Sequence, residues 1–221
     1  MNKIVLDKEY YHFNDEEINA IITKKNVTLE LDGNIKINDL ESKEDINLKL
    51  ILNDNANVIF NKFNKDIANA NIKIIVNNNT NLNFNYSVYN TLESSFKIDA
   101  NILGNNNNTY INFYGVSNLK GKFVCDVTSS VEKDIFNNDL LENIRILSLN
   151  DEQNIILPNL LVSSDNVSIN HNATISGLDK DYLFYLESKG LDQEEASKLI
   201  TRGFIFSKLD LSKDEKEKIK F

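Results

Sequence analysis

From Val27 onward, apolar residues recur at every second position. Val27, Leu29 and Leu31 alternate with Thr28 and Glu30, and Ile35 and Ile37 follow after an Asp32-Gly33-Asn34 corner. The pattern returns at Ile46, Leu48, Leu50 and Leu52, at Val58 and Phe60, at Ile72, Ile74 and Val76, and at Leu82, Phe84, Tyr86 and Val88. It continues through Phe96, Ile98, Ala100 and Ile102, then Ile111 and Phe113, then Phe123, Cys125 and Val127. Period two puts such residues on one face of an extended chain, so each run predicts a short strand with one buried side. The corners between runs are rich in Asn, as at Asn77-Asn78-Asn79 and Asn105 to Asn108, and poor in Pro and Gly. Asn tolerates left-handed backbone and bonds to its own main chain, so it can serve at turns. A β-sandwich and a β-solenoid both suit this pattern, and no strict repeat length separates them. A solenoid would stack equivalent corners into Asn ladders, whereas a sandwich would show hairpin signals, of which Asp32-Gly33 is the nearest. The Asn excess, together with Lys and Ile, is equally compatible with biased base composition of the gene.

The two ends read differently. Residues 1–25 form a short N-terminal segment in which Asn14 to Ile22 (NDEEINAII) predicts one helix capped by Asn14. At the other end, Pro158 to Phe206 changes from extended chain (Leu161, Val167, Ile169, Ile175) to two helices. The first begins after an N-cap at Asp179, carries Tyr182, Leu183 and Leu186 at helical spacing and stops at Gly190. The second begins after Asp192, with Glu195 completing a capping box, and runs through Ala196, Leu199 and Ile200 to Gly203. Lys208 to Phe221 alternates charges around Leu209, Leu211 and Ile219, which reads as a solvated helix.

Composition narrows the function. A chain of 221 residues, 41% hydrophobic and 26% charged, can bury one sizeable core. A net charge of −9 without a Lys/Arg cluster argues against nucleic acid and against anionic membranes. No apolar run reaches the ~20 residues of a membrane helix, and MNKIVLDKEYYHF lacks the apolar centre of a signal peptide, so a cytoplasmic location is expected. The lone Cys125 excludes an internal disulfide and a Cys-only metal site, and its alternation with Phe123 and Val127 reads as core packing. No nucleophile triad, P-loop, dinucleotide turn or HExxH helix is present, and the carboxylates are scattered, so no catalytic residue is nominated and a non-enzyme is expected. His171, on a strand beside the entry into the helices, is a borderline metal ligand and a group that titrates near neutrality. Its ring could equally bond to backbone and fix the strand-to-helix turn.

The order Pro158, an Asp165-Asn166-Val167 turn, His171, Ala173-Thr174-Ile175, Leu178-Asp179, Leu183-Phe184-Tyr185-Leu186, Ser188-Lys189-Gly190 and Glu195-Ala196 resembles the SufB/SufD family of iron-sulfur cluster assembly proteins. It looks closest to SufD, whose hallmark reads S-H-G-A-T-V-G-x-L-D and then L-F-Y-L-x-S-R-G. Gly121 to Ser148 resembles the family's preceding strand and turn, the turn appearing as Asn143-Ile144-Arg145-Ile146-Leu147-Ser148. The resemblance implies a mainly β fold: a right-handed parallel β-helix over residues 26–176 with a small C-terminal helical domain at 177–221, shortened at the N-terminus. It implies a scaffold or accessory subunit of a SUF-type assembly complex that binds a SufC-like ABC ATPase and dimerises with a SufB-like partner or a second copy. It carries a cluster-assembly role onto His171, with an iron-sulfur cluster held only transiently and no permanent cofactor. The family's ATPase docks on the helical region, which makes Tyr182, Tyr185, Arg202 and Phe204 the docking candidates. The family's sulfur-accepting cysteine falls near Asn143, and Asn172 replaces a Gly or an acidic residue, so the chain lacks the usual SufB donors. A β-solenoid interaction protein without metal, structural or carbohydrate-binding, is the competing class.

Overall fold

In the structure, a computed structural model describing residues 2–221, two sheets of parallel strands face one another across a narrow core. The strands are β1 (Asn2–Leu6), β2 (Tyr10–Asn14), β3 (Glu17–Ile22), β4 (Asn26–Asp32), β5 (Asn34–Asp39), β6 (Ile46–Leu52), β7 (Asn57–Lys65) and β8 (Asn69–Val76). They continue with β9 (Asn81–Asn90), β10 (Glu93–Ile102), β11 (Asn108–Ser117), β12 (Lys122–Val131), β13 (Asn138–Ser148), β14 (Ile155–Val162) and β15 (Val167–Ser176). Odd strands form one sheet in sequence order and even strands the other. Each coil therefore gives one strand to each sheet and stacks directly on the coil before it, which is the arrangement of a parallel β-helix.

The coil lengthens along the solenoid, which is why no repeat length is legible. Stacked asparagines on the odd sheet, Asn38, Asn61, Asn85, Asn112 and Asn143, are separated by 23, 24, 27 and 31 residues. They are joined side chain to side chain at 2.8 to 3.4 Å, and register extends the column to Asn19 below and Asn172 above. A second column occupies one corner, where Asp15, Gly33, Asn55, Asn79, Asn106 and Asn137 adopt φ of 51 to 67°. Asn79, Asn106 and Asn137 each donate to the asparagine one coil below. Short polar side chains tolerate that backbone, and each coil repeats it.

Inside, the inward residues stack into columns of Ile, Leu, Val and Phe, with Phe96 and Phe113 in contact at 5.2 Å and Tyr86 edge-on to Phe113 at 5.5 Å. Cys125 is fully buried among them, and burial pushes its thiol far up, so it is an inert core residue as its spacing implied. One ion pair interrupts the apolar fill: Lys62 reaches Asp39 at 2.5 Å, both without solvent access.

The outer faces of the sheets differ. Even strands such as β8 alternate strictly between buried and exposed, while β7, β9 and β11 become almost continuously buried toward their ends. Helices cover the odd sheet there. α1 (Lys180–Ser188), α2 (Gln193–Phe206) and α3 (Lys213–Lys218) follow the last strand. Ile205, Leu209, Leu211 and Ile219 pack with Phe63, Val116 and Leu147. Polar clasps accompany them: Lys36 and Asn61 hold Asp210, and Asn38 donates to Glu215.

Several expectations need correction. Asn14 to Ile22 is not a helix but the end of β2 and all of β3, because Ile18, Ala20 and Ile22 alternate into the core and burial outweighs the local propensity. Residues 1–25 accordingly contain the strands that open the solenoid. The second helix does not stop at Gly203; it runs to Phe206, since Phe204 and Ile205 pack on the sheet and a Cβ at Gly203 would meet nothing. The tail beyond Lys208 is not simply solvated, because Leu209, Leu211 and Ile219 are all buried. The caps at Asp179 and Asp192 and the left-handed Gly190 are as the sequence implies.

Candidate functional site at the open end of the solenoid

The last coil has no successor among the described residues, so the inward side chains of β14 and β15 meet solvent instead of another layer. Ile156, Leu160, Val167 and Ile169 are only partly buried, and Ile175 is 45% exposed. Outward and rim residues Ile155, Leu157, Leu161 and Val162 add exposed apolar surface, and both strands present a free hydrogen-bonding edge.

His171 sits in this coil, exposed, at an inward-facing position. Register places it at the top of a single column: Ile18, Ile37, Phe60, Phe84, Ile111, Glu142, His171. The column is apolar for five rungs and then turns into a carboxyl and an imidazole. Glu142 is fully buried, and one oxygen, Oε1, accepts a hydrogen bond from the Ser129 hydroxyl of the facing sheet. The other oxygen, Oε2, has no hydrogen-bond partner among the described residues. Burial without a compensating cation pushes the Glu142 carboxyl up to about 7, with the Ser129 bond opposing the shift.

Glu142 was missed by sequence reasoning, although a signal existed. It stands between Leu140 and Ile144 in a period-two run, so an acid occupies a position the pattern reserves for the core. By contrast, Asn143 and Asn172, at the two positions where the family's donors differ, face outward and continue the asparagine column. Cys125 lies in the coil below β14 and is sealed from solvent. His12, the other histidine, is on the outer face near the first coil, 2.5 Å from Asp32.

The helical candidates divide. Tyr182 and Tyr185 are about half exposed and stack at 6.4 Å, and Phe184 on α1 and Leu199 on α2 are exposed as well. Arg202 instead donates to the carbonyls of Ile219 and Lys216 and lies over Phe206 and Phe221. Phe204 packs on Tyr114 at 5.2 Å beneath Arg145. In this structure these two residues hold the C-terminal segment on the sheet. Among the described residues, no helix is long and apolar enough to cross a membrane, and no group of three or more His, Cys, Asp or Glu side chains converges as a metal site would require.

The family model for the SUF system FeS cluster assembly SufBD core domain matches residues 62–204, from β7 through α2. An iron-sulfur cluster assembly SufBD family protein of Staphylococcus saprophyticus is 46% identical over 44 residues, which is 20% of this chain and 10% of that protein. The iron-sulfur cluster assembly protein SufB of Bacillus subtilis is 43% identical over 44 residues, with the same shares. A SufBD family protein of Mycobacterium tuberculosis is 40% identical over 48 residues, 22% of this chain and 6% of that protein. The chain thus matches a tenth or less of the length of these relatives.

Proposed function

Since the chain belongs to the SufBD core family, whose model spans well over half of it, we propose that it is a non-catalytic scaffold or accessory subunit in iron-sulfur cluster assembly. The observation that carries this reading is the match over residues 62–204, which includes both the solenoid's open end and the exposed aromatic residues of α1. In the reading, a SufC-like ABC ATPase docks on Tyr182, Phe184 and Tyr185, whose exposed aromatic surface is of the kind buried at protein interfaces. The free edges of β14 and β15 receive a second copy or a SufB-like partner, which would satisfy their backbone groups and cover Leu157, Leu161 and Ile175. Iron and sulfur are cargo at that junction rather than a resident cofactor.

A place nearer SufD than SufB is supported by the donor set. Asn143 and Asn172 offer neither thiol nor carboxylate, and the one thiol, Cys125, is buried and strongly protonated. The chain therefore has no accessible cysteine of its own to take up sulfur.

The test is co-purification with the cognate SufC-like ATPase without nucleotide, followed by the mass and iron content of the complex. Retention of the ATPase, lost on Tyr182→Ala with Tyr185→Ala, is the expected outcome. An ATPase that never associates under gentle conditions removes the assembly reading.

A further inference from the structure

We infer that the cleft between α2 and the ends of β9, β11 and β13 binds a small amphipathic anion, an apolar body carrying one carboxylate or equivalent acid. α2 seats its C-terminal half on the odd sheet, where Phe204 meets Tyr114 and Ile205 joins the cluster of Phe63, Val116 and Leu147. Beside its N-terminal half a cleft of about 720 Å³ remains, bordered by Tyr89, Asn118 and Leu149 at or just beyond the ends of those strands. A volume of that size falls within the range of small-molecule sites, roughly 300–1,000 Å³. Gln193, Ser197 and Thr201, four residues apart, form one stripe along the cleft, so α2 turns a polar edge toward its own protein. Leu149, Leu178, Leu183 and Phe221 supply the apolar part of the lining. Apolar walls with a few convergent polar groups fit a ligand with a distinct body and head.

The polar groups select the head. Thr201 is 3% exposed, and its hydroxyl has no hydrogen-bond partner among the described residues, which is costly for a buried polar group. The Tyr89 hydroxyl accepts from Asn118 at 2.6 Å, which leaves its own proton to donate, and no acceptor among the described residues takes it. Arg202 gives two nitrogens to the carbonyls of Lys216 and Ile219 and forms no ion pair with a carboxylate among the described residues, so its charge is uncompensated. The other cation of the lining, Lys198, is already paired with Glu194 at 2.5 Å. Phe221 touches both Tyr89, at 5.1 Å, and Arg202, at 5.6 Å, which gathers these groups at one end of the cleft. Two hydroxyls and an uncompensated guanidinium call for an acceptor that carries negative charge. A neutral head would satisfy the hydroxyls and leave the charge, and a cation would be repelled. Binding is non-covalent, the body lying along Leu178 and Leu183.

The full chain is titrated with anilinonaphthalene sulfonate, an aromatic anion whose fluorescence rises in apolar surroundings, and the dye is then displaced with decanoate or decanol below their aggregation limits. Decanoate should displace it about ten-fold more tightly than decanol, the fold-change expected of a charge-assisted hydrogen bond. Ser197→Phe, which fills the cleft, should abolish displaceable binding, and the near-isosteric Thr201→Val and Tyr89→Phe should each weaken decanoate several-fold. Leu161→Ser, at the exposed end of the solenoid, should leave it unchanged. Circular dichroism of each variant, matching wild type, shows that the fold survives, and if Ser197→Phe misfolds the two near-isosteric variants decide. Decanol equal to decanoate overturns the anionic head, and wild-type binding by folded Ser197→Phe, or by both Thr201→Val and Tyr89→Phe, overturns the cleft as the site. Loss of binding in Leu161→Ser would likewise move the dye to the solenoid's end and overturn the inference. None of these readouts involves the ATPase, so the assembly reading stands or falls separately.

Discussion

Asp39 and Glu142 are fully buried carboxyl groups on inward-facing positions of the same sheet, four coils apart, yet their surroundings are opposite. Asp39 has Lys62 at 2.5 Å on one oxygen and the Ser42 hydroxyl on the other. Ser42 in turn accepts from the Ile22 amide, its carbonyl accepts from Asn64, and Tyr86 donates to Asn64 while lying beneath the Lys62 ammonium. Every polar atom in that cluster has a partner. Glu142 has a single hydroxyl and one bare oxygen. A closed network of buried polar groups is explained by the fold alone; an open one, at the end of the lumen that solvent reaches, is not.

The largest effect should come from opening the closed network. Lys62→Met leaves the buried Asp39 carboxyl without its cation in the lumen and should cost about 3–5 kcal/mol, measured by urea unfolding. Replacing both partners, Asp39→Leu with Lys62→Met, should recover most of that loss, because a well-packed apolar pair escapes the desolvation penalty. A single Lys62→Met that unfolds at the wild-type urea midpoint would show that the pair contributes nothing to holding this coil.

At the open end the sign reverses. The folded-state carboxyl of Glu142 lies above its unfolded value of 4.5, at about 7. The folded state therefore holds a proton that the unfolded state releases, and this contribution is complete below pH 4.5 and lost as pH rises through 7. At pH 8 ionised Glu142 should be a liability of up to ~3 kcal/mol, since each tenfold change in its proton affinity on folding is worth about 1.4 kcal/mol. Glu142→Gln should accordingly be more stable than wild type at pH 8 and about equal to it at pH 4.5. Parallel curves for the two proteins across that range would mean that the carboxyl is not desolvated in the way its burial implies.

The contrast between the two networks also marks how far the sequence could be read. Period two identified the inward faces of the strands from β4 to β12, because alternation follows directly from the geometry of extended chain and one face is always buried. It failed to choose a solenoid, because the coil grows from 23 to 31 residues between Asn38 and Asn143 and no fixed period survives. Asn14 to Ile22 misled because acidic residues and an Asn cap are local signals, whereas the burial of Ile18 and Ile22 is decided by a coil not yet formed. His171 was visible as a rare residue type beside a family motif. Glu142 was not, since scattered carboxylates are ordinary and only the stacking of coils shows that this one faces the lumen under His171. Lys62 was hidden for the same reason: its partner Asp39 is 23 residues away in sequence and one rung away in space.

The outer asparagine column offers a smaller test of the closed arrangement. Asn85 is buried, donates to Asn61 and accepts from Asn112, so Asn85→Ala breaks two rungs under the helices and should cost about 1–3 kcal/mol. Asn108 belongs to an exposed column and donates to Asn81 where water competes, so Asn108→Ala should cost less than about 0.5 kcal/mol. Equal losses would make the columns equivalent and reduce the asparagines to turn and spacer residues.

The smallest expected effect falls on His171 itself. A histidine that fixed the strand-to-helix turn through its ring would cost about 1 kcal/mol or more on truncation, as other side chain-to-backbone bonds do. The ring is exposed, no hydrogen bond to it accompanies the Glu142 and Ser129 pair below, and the turn into α1 is held instead by Asp179 accepting from the amides of Asp181 and Tyr182. His171→Ala should therefore shift the stability of the isolated chain by less than about 0.5 kcal/mol, while Asp179→Ala should cost about 1 kcal/mol through the lost cap. A thermal midpoint for His171→Ala that falls as far as that of Asp179→Ala would assign the histidine to the turn.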